Sequence, residues 1–286
     1  MNVRRVAVLG AGTMGRGIAH VAAQAGCEVV LRDVDDASVR RGLDGIRQAL
    51  DVGVQKGKVS AEEREATLAR ITTVTDAKQA AREADLVIEA VPEDLDLKQR
   101  VLKEVESVAP PTALLASNTS SLSITAIAYG LRRPERLVGM HFFNPPHLLK
   151  LVEVVRGDRT SQDATDAAVA LARRMGKEPI VVRDTPGFAS SRLGLALGLE
   201  AMRMFEAGVA SAEDIDKAME LGYNHPMGPL KLTDLVGLDV RLAIAEHLHK
   251  SLASDVFRPP EVLRRLVRVG KLGRKSGEGF YRYDKP

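Results

Sequence analysis

The sequence predicts an α/β protein in which a doubly wound, mostly parallel sheet is followed by a smaller all-helical C-terminal domain. Three observations predict it. In the first part of the chain, short β-branched runs alternate with amphipathic stretches of helical period. Several of those runs are apolar almost throughout, as parallel strands covered on both faces require. After Asp184-Thr185-Pro186-Gly187 the strand signals stop and helical periods take over. The domains are therefore expected at residues 1–185 and 186–286.

The expected strands, in order, are residues 3–9, 28–33, 71–75, 86–90, 114–117, 137–141, 151–155 and 179–182, with helical patterns between most of them, among them residues 36–58. Helices are expected at residues 189–206, 211–219, 230–251 and 261–269, separated by Gly208, by Gly222 through Pro229, and by Pro259-Pro260. Ser211 followed by Asp214 resembles a capping box and marks a helix start. A last strand signal closes the chain at Gly279-Phe280-Tyr281.

A chain of 286 residues suits two domains or one large one, and can bury a substantial core. The 45% hydrophobic content is spread in short runs, none near the ~20 apolar residues of a membrane span, so no membrane association is expected. The first strand begins within a few residues of Met1, which leaves no room for an export signal. Cys27 is the single cysteine, so no intramolecular disulfide can form and a reducing, cytoplasmic location is expected. The formal net charge of +3 is small for this length and gives no reason to expect a nucleic-acid partner, while a polyanionic small molecule stays open. No metal site is expected.

Gly10-Ala11-Gly12-Thr13-Met14-Gly15 lies between the first strand and a helical run, the context in which this spacing binds a dinucleotide. Gly10 permits the tight turn, Gly12 lets backbone approach a pyrophosphate, and Gly15 lets helix and strand pack closely. The helix N-terminus then faces the phosphate charge. Asp33 closes the second strand about twenty residues on, where a carboxylate accepts from ribose hydroxyls and repels a 2′-phosphate. The expected cofactor is NAD rather than NADP, and the sheet is expected to be of Rossmann type. Arg32 beside Asp33 would soften that preference, but strand alternation points it the other way.

In the segment GMHFFNPPHLLKLVEVV, Leu137, Val138 and Met140 deliver His141 to a strand end, and Asn144-Pro145-Pro146 forces a turn. In the next strand, alternation places Glu153 on one face with Leu151 and Val155, where an unpaired carboxylate is costly. Glu153 therefore needs a partner, and His141 is the candidate for a tuned general base. On these residues alone a second reading stays open, with His141 a satisfied core histidine and Glu153 an edge charge facing water.

Further segments extend the picture: GAGTMGRGIA at Gly10, ADLVIEAVPEDLDLKQ at Ala84, SNTSSLSIT at Ser117, GMHFFNPP at Gly139, KLVEVV at Lys150, DTPGF at Asp184, AEDIDKAMELGYNHPMGPL at Ala212, GLD at Gly237 and GRKSGEGFYRY at Gly273. In these, and in their order, the chain resembles the short-chain L-3-hydroxyacyl-CoA dehydrogenases, above all the bacterial 3-hydroxybutyryl-CoA dehydrogenases. The resemblance implies reversible NAD-dependent oxidation of a short-chain (S)-3-hydroxyacyl-CoA to the 3-oxoacyl-CoA. It implies His141 as the base, Glu153 as the carboxylate that orients it, and Ser120 as the hydroxyl that holds the substrate oxygen. Cofactor contacts are implied at Glu93, Lys98, Ser120, Asn144 and Lys275, and a homodimer through the helical domain is implied as well.

Read without the resemblance, Glu93 and Lys98 are solvated charges at a helix start, and Ser121 or Ser123 is the N-cap of a helix near Ile124. The chain departs from the family pattern at Ser191, where an asparagine commonly stands beside the substrate. Serine is shorter and cannot reproduce both amide functions, so Ser191 is expected to face the substrate and replace the amide in part. For the CoA phosphates the sequence offers Lys56 and Lys58, which serve equally as cations at a helix C-terminus. Two alternative functions remain: a dehydrogenase of a free sugar acid, of gulonate 3-dehydrogenase type, and a non-catalytic NADH-binding protein.

Overall fold

The structure, a computed structural model, describes residues 3–284, and the chain divides between Thr185 and Pro186 into two compact units. In the first unit, eight strands form one sheet: β1 (Arg5–Leu9), β2 (Glu28–Arg32), β3 (Ile71–Val74), β4 (Leu86–Glu89), β5 (Leu114–Ser117), β6 (Leu137–Phe142), β7 (Leu151–Arg156) and β8 (Glu178–Arg183). Their spatial order is β3-β2-β1-β4-β5-β6-β7-β8, so the winding reverses between β1 and β4. All neighbours pair parallel except β6 with β7. The expected Rossmann-type sheet is thus present.

Seven helices of this unit connect the strands: α1 (Thr13–Gln24), α2 (Asp36–Gln55), α3 (Ala61–Ala69), α4 (Ala77–Ala81), α5 (Leu95–Glu106), α6 (Ile124–Ile127) and α7 (Gln162–Arg174). Their starts follow local chemistry. Asp35 caps α2 by accepting from Ser38 N at 2.7 Å, and Asp94 caps α5 by accepting from Leu97 N at 2.7 Å. Ser60 and Glu63 form a full capping box at α3, which the Ser-x-x-Glu spacing should have announced. α2 stops at Gln55, before Lys58, and Gly57 takes a positive φ of 63° beyond it. The central strands β1, β4, β5 and β6 bury nearly every side chain, with Val6, Val8, Ile88, Ala116 and Met140 in one core with Ile18 of α1 and Leu171 of α7. β8 differs: Ile180 and Val181 remain exposed.

The second unit contains α8 (Ser190–Glu206), α9 (Ala212–Gly222), α10 (Pro229–Val236), α11 (Leu238–Leu252) and α12 (Glu261–Arg268). α8 turns one face, Leu195, Leu199 and Met202, into a core with Leu230, Leu248, Phe257 and Leu263, while Leu193 stays exposed. Three sequence expectations change here. The single helix expected over residues 230–251 is two, because Gly237 takes φ 106°, outside any helix. The expected strand at Gly279-Phe280-Tyr281 is not one; only isolated bridges, Gly273 to Glu278 and Glu278 to Arg282, form there. The segment is instead pinned by a buried carboxylate, Asp234, which accepts from Phe280 N and Tyr281 N at 3.0 Å each. The Ser211 box is half formed. Ser211 Oγ accepts from Asp214 N, but the Asp214 carboxylate takes the Ser211 hydroxyl rather than its backbone N–H, because aspartate is one methylene too short.

Candidate active site

The glycine turn between β1 and α1 is dictated by close approach. Gly10 has φ 103°, and a Cβ there would stand 2.6 Å from Ala90 O of the loop after β4. A Cβ on Gly15 would meet Gly10 O at 1.7 Å, so only glycine lets α1 fold back onto the strand end. Gly12 is the opposite case: a Cβ there has nothing within 4 Å, which leaves its backbone open to a ligand. Asp33, just past β2, accepts from Ala11 N at 2.7 Å through Oδ2 and from Val34 N at 2.7 Å through Oδ1. Each carboxylate oxygen keeps a further lone pair, so Asp33 both braces the turn and can still receive ribose hydroxyls. Arg32 turns aside and donates from Nε to Thr75 O at 2.9 Å. These groups fit a dinucleotide that carries no 2′-phosphate.

Beside this turn lies a cleft of about 310 Å³ whose lining includes Met14, Glu93, Lys98, Ser120, His141 and Asn144. Six residues singled out in the sequence thus meet at one place, drawn from the segments after β4 and β5, from the end of β6 and the turn after it, and from the starts of α1 and α5. A larger hollow of about 790 Å³ opens at the other end of β1 and β2, where Arg5 begins one strand and Glu28 the other. Its rim is closed by the ion pairs Arg5–Glu28 at 3.2 Å and Arg5–Glu83 at 2.8 Å, and it lies away from the glycine turn.

The antiparallel register of β6 and β7 sets His141 opposite Glu153. Nδ1 of His141 lies 2.7 Å from Glu153 Oε2, His141 is 7% exposed and Glu153 is fully buried. An ionised carboxylate only accepts, so with Glu153 ionised Nδ1–H is the donor of this contact. Asn118 Oδ1 accepts from Phe142 N at 2.9 Å and so ties the end of β5 to the end of β6. In the sequence Asn118 had no role of its own within SNTSSLSIT; its position directly after a buried strand was the available signal. The turn that carries Asn144 contains a cis Asn144–Pro145 bond and rests on α1, where a Cβ on Gly17 would come within 2.6 Å of Pro146.

Lys98 and Glu93 are not the solvated helix-start charges that spacing alone suggests. Lys98 is buried on α5, and Nζ lies 3.0 and 2.9 Å from the two oxygens of Glu89 and 3.3 Å from Glu93 Oε2. Glu89, at the end of β4, is fully buried and was missed in the sequence; a carboxylate closing the run Leu86-Val87-Ile88 on a central strand was the signal. Burial pushes the Glu89 carboxyl up, opposed by the Lys98 ammonium and a hydrogen bond from Ser117. Burial also pushes Glu93 up, but the Thr119 hydroxyl, the Lys98 charge and donors from the following turn outweigh it and hold Glu93 below the usual carboxylate range. Glu93 Oε1 accepts from Thr119 Oγ1 at 2.6 Å and from Ser120 N at 3.0 Å. Ser123, not Ser121, caps α6, accepting from Ala126 N.

Three sequence candidates remain: Lys56, Ser191 and Lys275. Lys56 is exposed at the end of α2. In the second unit Ser191 sits in the first turn of α8, and Lys275 pairs with Asp239, Nζ to Oδ2 at 2.7 Å. Among the described residues no group of three or more His, Cys, Asp or Glu side chains could hold a metal ion, and no helix is long and apolar enough to cross a membrane.

The family model for the 3-hydroxyacyl-CoA dehydrogenase NAD-binding domain matches residues 5–185, and that for the C-terminal domain matches residues 187–283. The chain belongs to the 3-hydroxyacyl-CoA dehydrogenase family. Its cofactor is NAD. This dehydrogenase is 44% identical to the probable 3-hydroxybutyryl-CoA dehydrogenase of Bacillus subtilis, over 99% of each chain. It is 46% identical to the protein of the same name from Deinococcus radiodurans, over 96% of this chain and 99% of that one. Among solved structures it is similar to the (S)-3-hydroxybutyryl-CoA dehydrogenase of Ralstonia eutropha, with TM-score 0.96 and 42% identity over 99% of this chain and all of the other.

Proposed function

We propose that this 3-hydroxyacyl-CoA dehydrogenase acts on short-chain (S)-3-hydroxyacyl thioesters such as 3-hydroxybutyryl-CoA, with His141 as general base. The observation that carries the reading is the buried 2.7 Å contact of His141 Nδ1 with Glu153, at the edge of a cleft beside the glycine turn. Bound NAD supplies the hydride acceptor. The glycine turn would hold its pyrophosphate and Asp33 its adenosine ribose, with Glu93, Lys98, Asn144 and Lys275 as further contacts. His141 Nε2 takes the proton of the substrate's 3-hydroxyl as the carbon–hydrogen bond at the same carbon gives up hydride. Glu153 keeps Nε2 turned to the substrate and stabilises the imidazolium that forms. Ser120 donates its hydroxyl to the 3-oxygen, and in the reverse direction the imidazolium returns its proton there.

Lys56 is proposed as a point charge for a CoA phosphate, and Ser191 as the residue that faces the acyl group. Exposed Leu193, Leu221 and Tyr223 in the helical unit support a homodimer formed through it, and a single buried cysteine supports a cytoplasmic location. The deciding experiment follows NADH oxidation at 340 nm with acetoacetyl-CoA, beside NADPH and beside free acetoacetate. Rapid turnover with NADH and the thioester alone is expected; NADH binding without turnover would overturn the proposal.

A further inference from the structure

Glu89 lies beneath the cleft rather than in it. It is fully buried, yet it is the hub of three segments. Oε1 and Oε2 hold Lys98 Nζ of α5, Oε2 accepts from Val91 N at 3.2 Å, and Oε1 accepts from the Ser117 hydroxyl at the end of β5. Two chains of contacts run from it to the turn 119–121. One passes through Lys98 to Glu93 Oε2 at 3.3 Å, and Glu93 Oε1 then accepts from Ser120 N at 3.0 Å, Ser121 N at 3.2 Å and Ser121 Oγ at 3.1 Å. The other passes through Ser117, whose Oγ accepts from Thr119 N at 3.2 Å.

A buried carboxylate is expensive unless its charge is matched and its lone pairs filled, and both conditions are met here. Lys98 is in turn held between two carboxylates, so it cannot follow Glu93 into solvent without leaving Glu89 uncompensated. That constraint makes the Glu93 side chain, 37% exposed at the cleft, a fixed rather than a mobile acceptor. The turn it organises presents Ser120, the only one of its three residues that lines the cleft.

We propose that Glu89 is the positioning residue for Ser120, acting through Lys98 and Glu93 on one side and through Ser117 on the other. The inference rests on the reading of Ser120 as the hydroxyl that holds the substrate oxygen. Glu89 touches neither substrate nor cofactor. Its substitution therefore acts on the rate only to the extent that Ser120 is in use.

A double-mutant cycle tests this, with kcat for acetoacetyl-CoA reduction measured at saturating NADH for Glu89→Gln, Ser120→Ala and the pair. Glu89→Gln is expected to lower kcat about 10-fold in the wild-type background and less than about 2-fold in the Ser120→Ala background. Because Glu89→Gln removes a buried charge, Ser117→Ala, which keeps every charge, is carried through the same cycle and decides the matter if Glu89→Gln does not fold. It is expected to cost about 3-fold alone and nothing measurable beside Ser120→Ala. Effects that multiply in both cycles would show a general loss of structure and overturn the positioning role. Ser120→Ala with wild-type kcat would overturn the reading of Ser120 itself, and Glu89's role would fall with it.

Discussion

His141 and Glu153 face each other across the antiparallel pairing of β6 and β7, with Nδ1 and Oε2 2.7 Å apart, Glu153 fully buried and His141 buried at the edge of the cleft. Replacing either partner separates chemistry from cofactor binding. His141→Gln is expected to lower kcat by ~100-fold or more, with the Kd for NADH, read by fluorescence titration, within about 2-fold of wild type. Glu153→Gln keeps the shape and a hydrogen-bond acceptor but removes the charge opposite the imidazolium. About a 10-fold loss of kcat is expected, again with NADH binding retained. Near-normal turnover in His141→Gln would demote the pair to a structural contact.

The two glycines of the turn predict opposite phenotypes. Gly15→Ala forces a Cβ against backbone 1.7 Å away, so Tm should fall markedly, and α1 should be displaced from the strand end. Gly12→Ala meets nothing within 4 Å, so Tm should stay near wild type while NADH affinity falls about 10-fold, because the methyl stands where the pyrophosphate must come. Paired thermal melts and titrations check both. An unstable Gly12→Ala protein with normal NADH affinity would contradict the assignment.

Asp33 braces Ala11 N, and in the proposed reading its carboxylate also repels a 2′-phosphate. Asp33→Ala should weaken NADH binding and narrow the kcat/KM preference for NADH over NADPH by about 10-fold. An unchanged preference would place cofactor selectivity elsewhere.

His20, buried on α1, supplies a pH dependence of stability. Burial pushes its imidazole down from 6.5 to about 4, helped by the charges of His147 and Lys177, and the His147 ring stacks on it with centroids 5.4 Å apart. The folded value lies below the unfolded one, so on acidification the unfolded chain binds the proton first. The stability His20 contributes is complete above pH 6.5 and drains away as pH falls towards 4. Between pH 7 and 5 the loss is about 2 kcal/mol. Urea unfolding at the two pH values should show this difference in wild type and a much smaller one in His20→Gln. Equal losses in the two proteins would refute it.

The strands and the glycine turn were legible because each rests on a local rule: β-branched runs, spacing of three glycines, an acid at the next strand end. The His141–Glu153 pair was half legible. Alternation showed that Glu153 needed a partner, but only the antiparallel register shows that His141 stands opposite. The residues Glu93 and Lys98 were marked by resemblance alone and Glu89 by its place at the end of an apolar strand, but their joining into one group was illegible, since it depends on β4, α5 and β5 converging, and a lysine on a helix carries no mark of what will cover it. Gly237 illustrates the same limit. Glycine inside a helical period is tolerated often enough that only its φ of 106° separates α10 from α11.

The reversal of strand direction at β7 lets two residues only twelve positions apart in the sequence face each other across neighbouring strands. His141 and Glu153 sit on two strands joined by one short connection, and the backbone ladder sets them opposite each other. His141 and Glu153 are thus aligned by the sheet itself, while the segment from Pro146 to Lys150 is tied down separately, by Lys177 donating to Pro146 O and Leu149 O and by the His147 ring on His20.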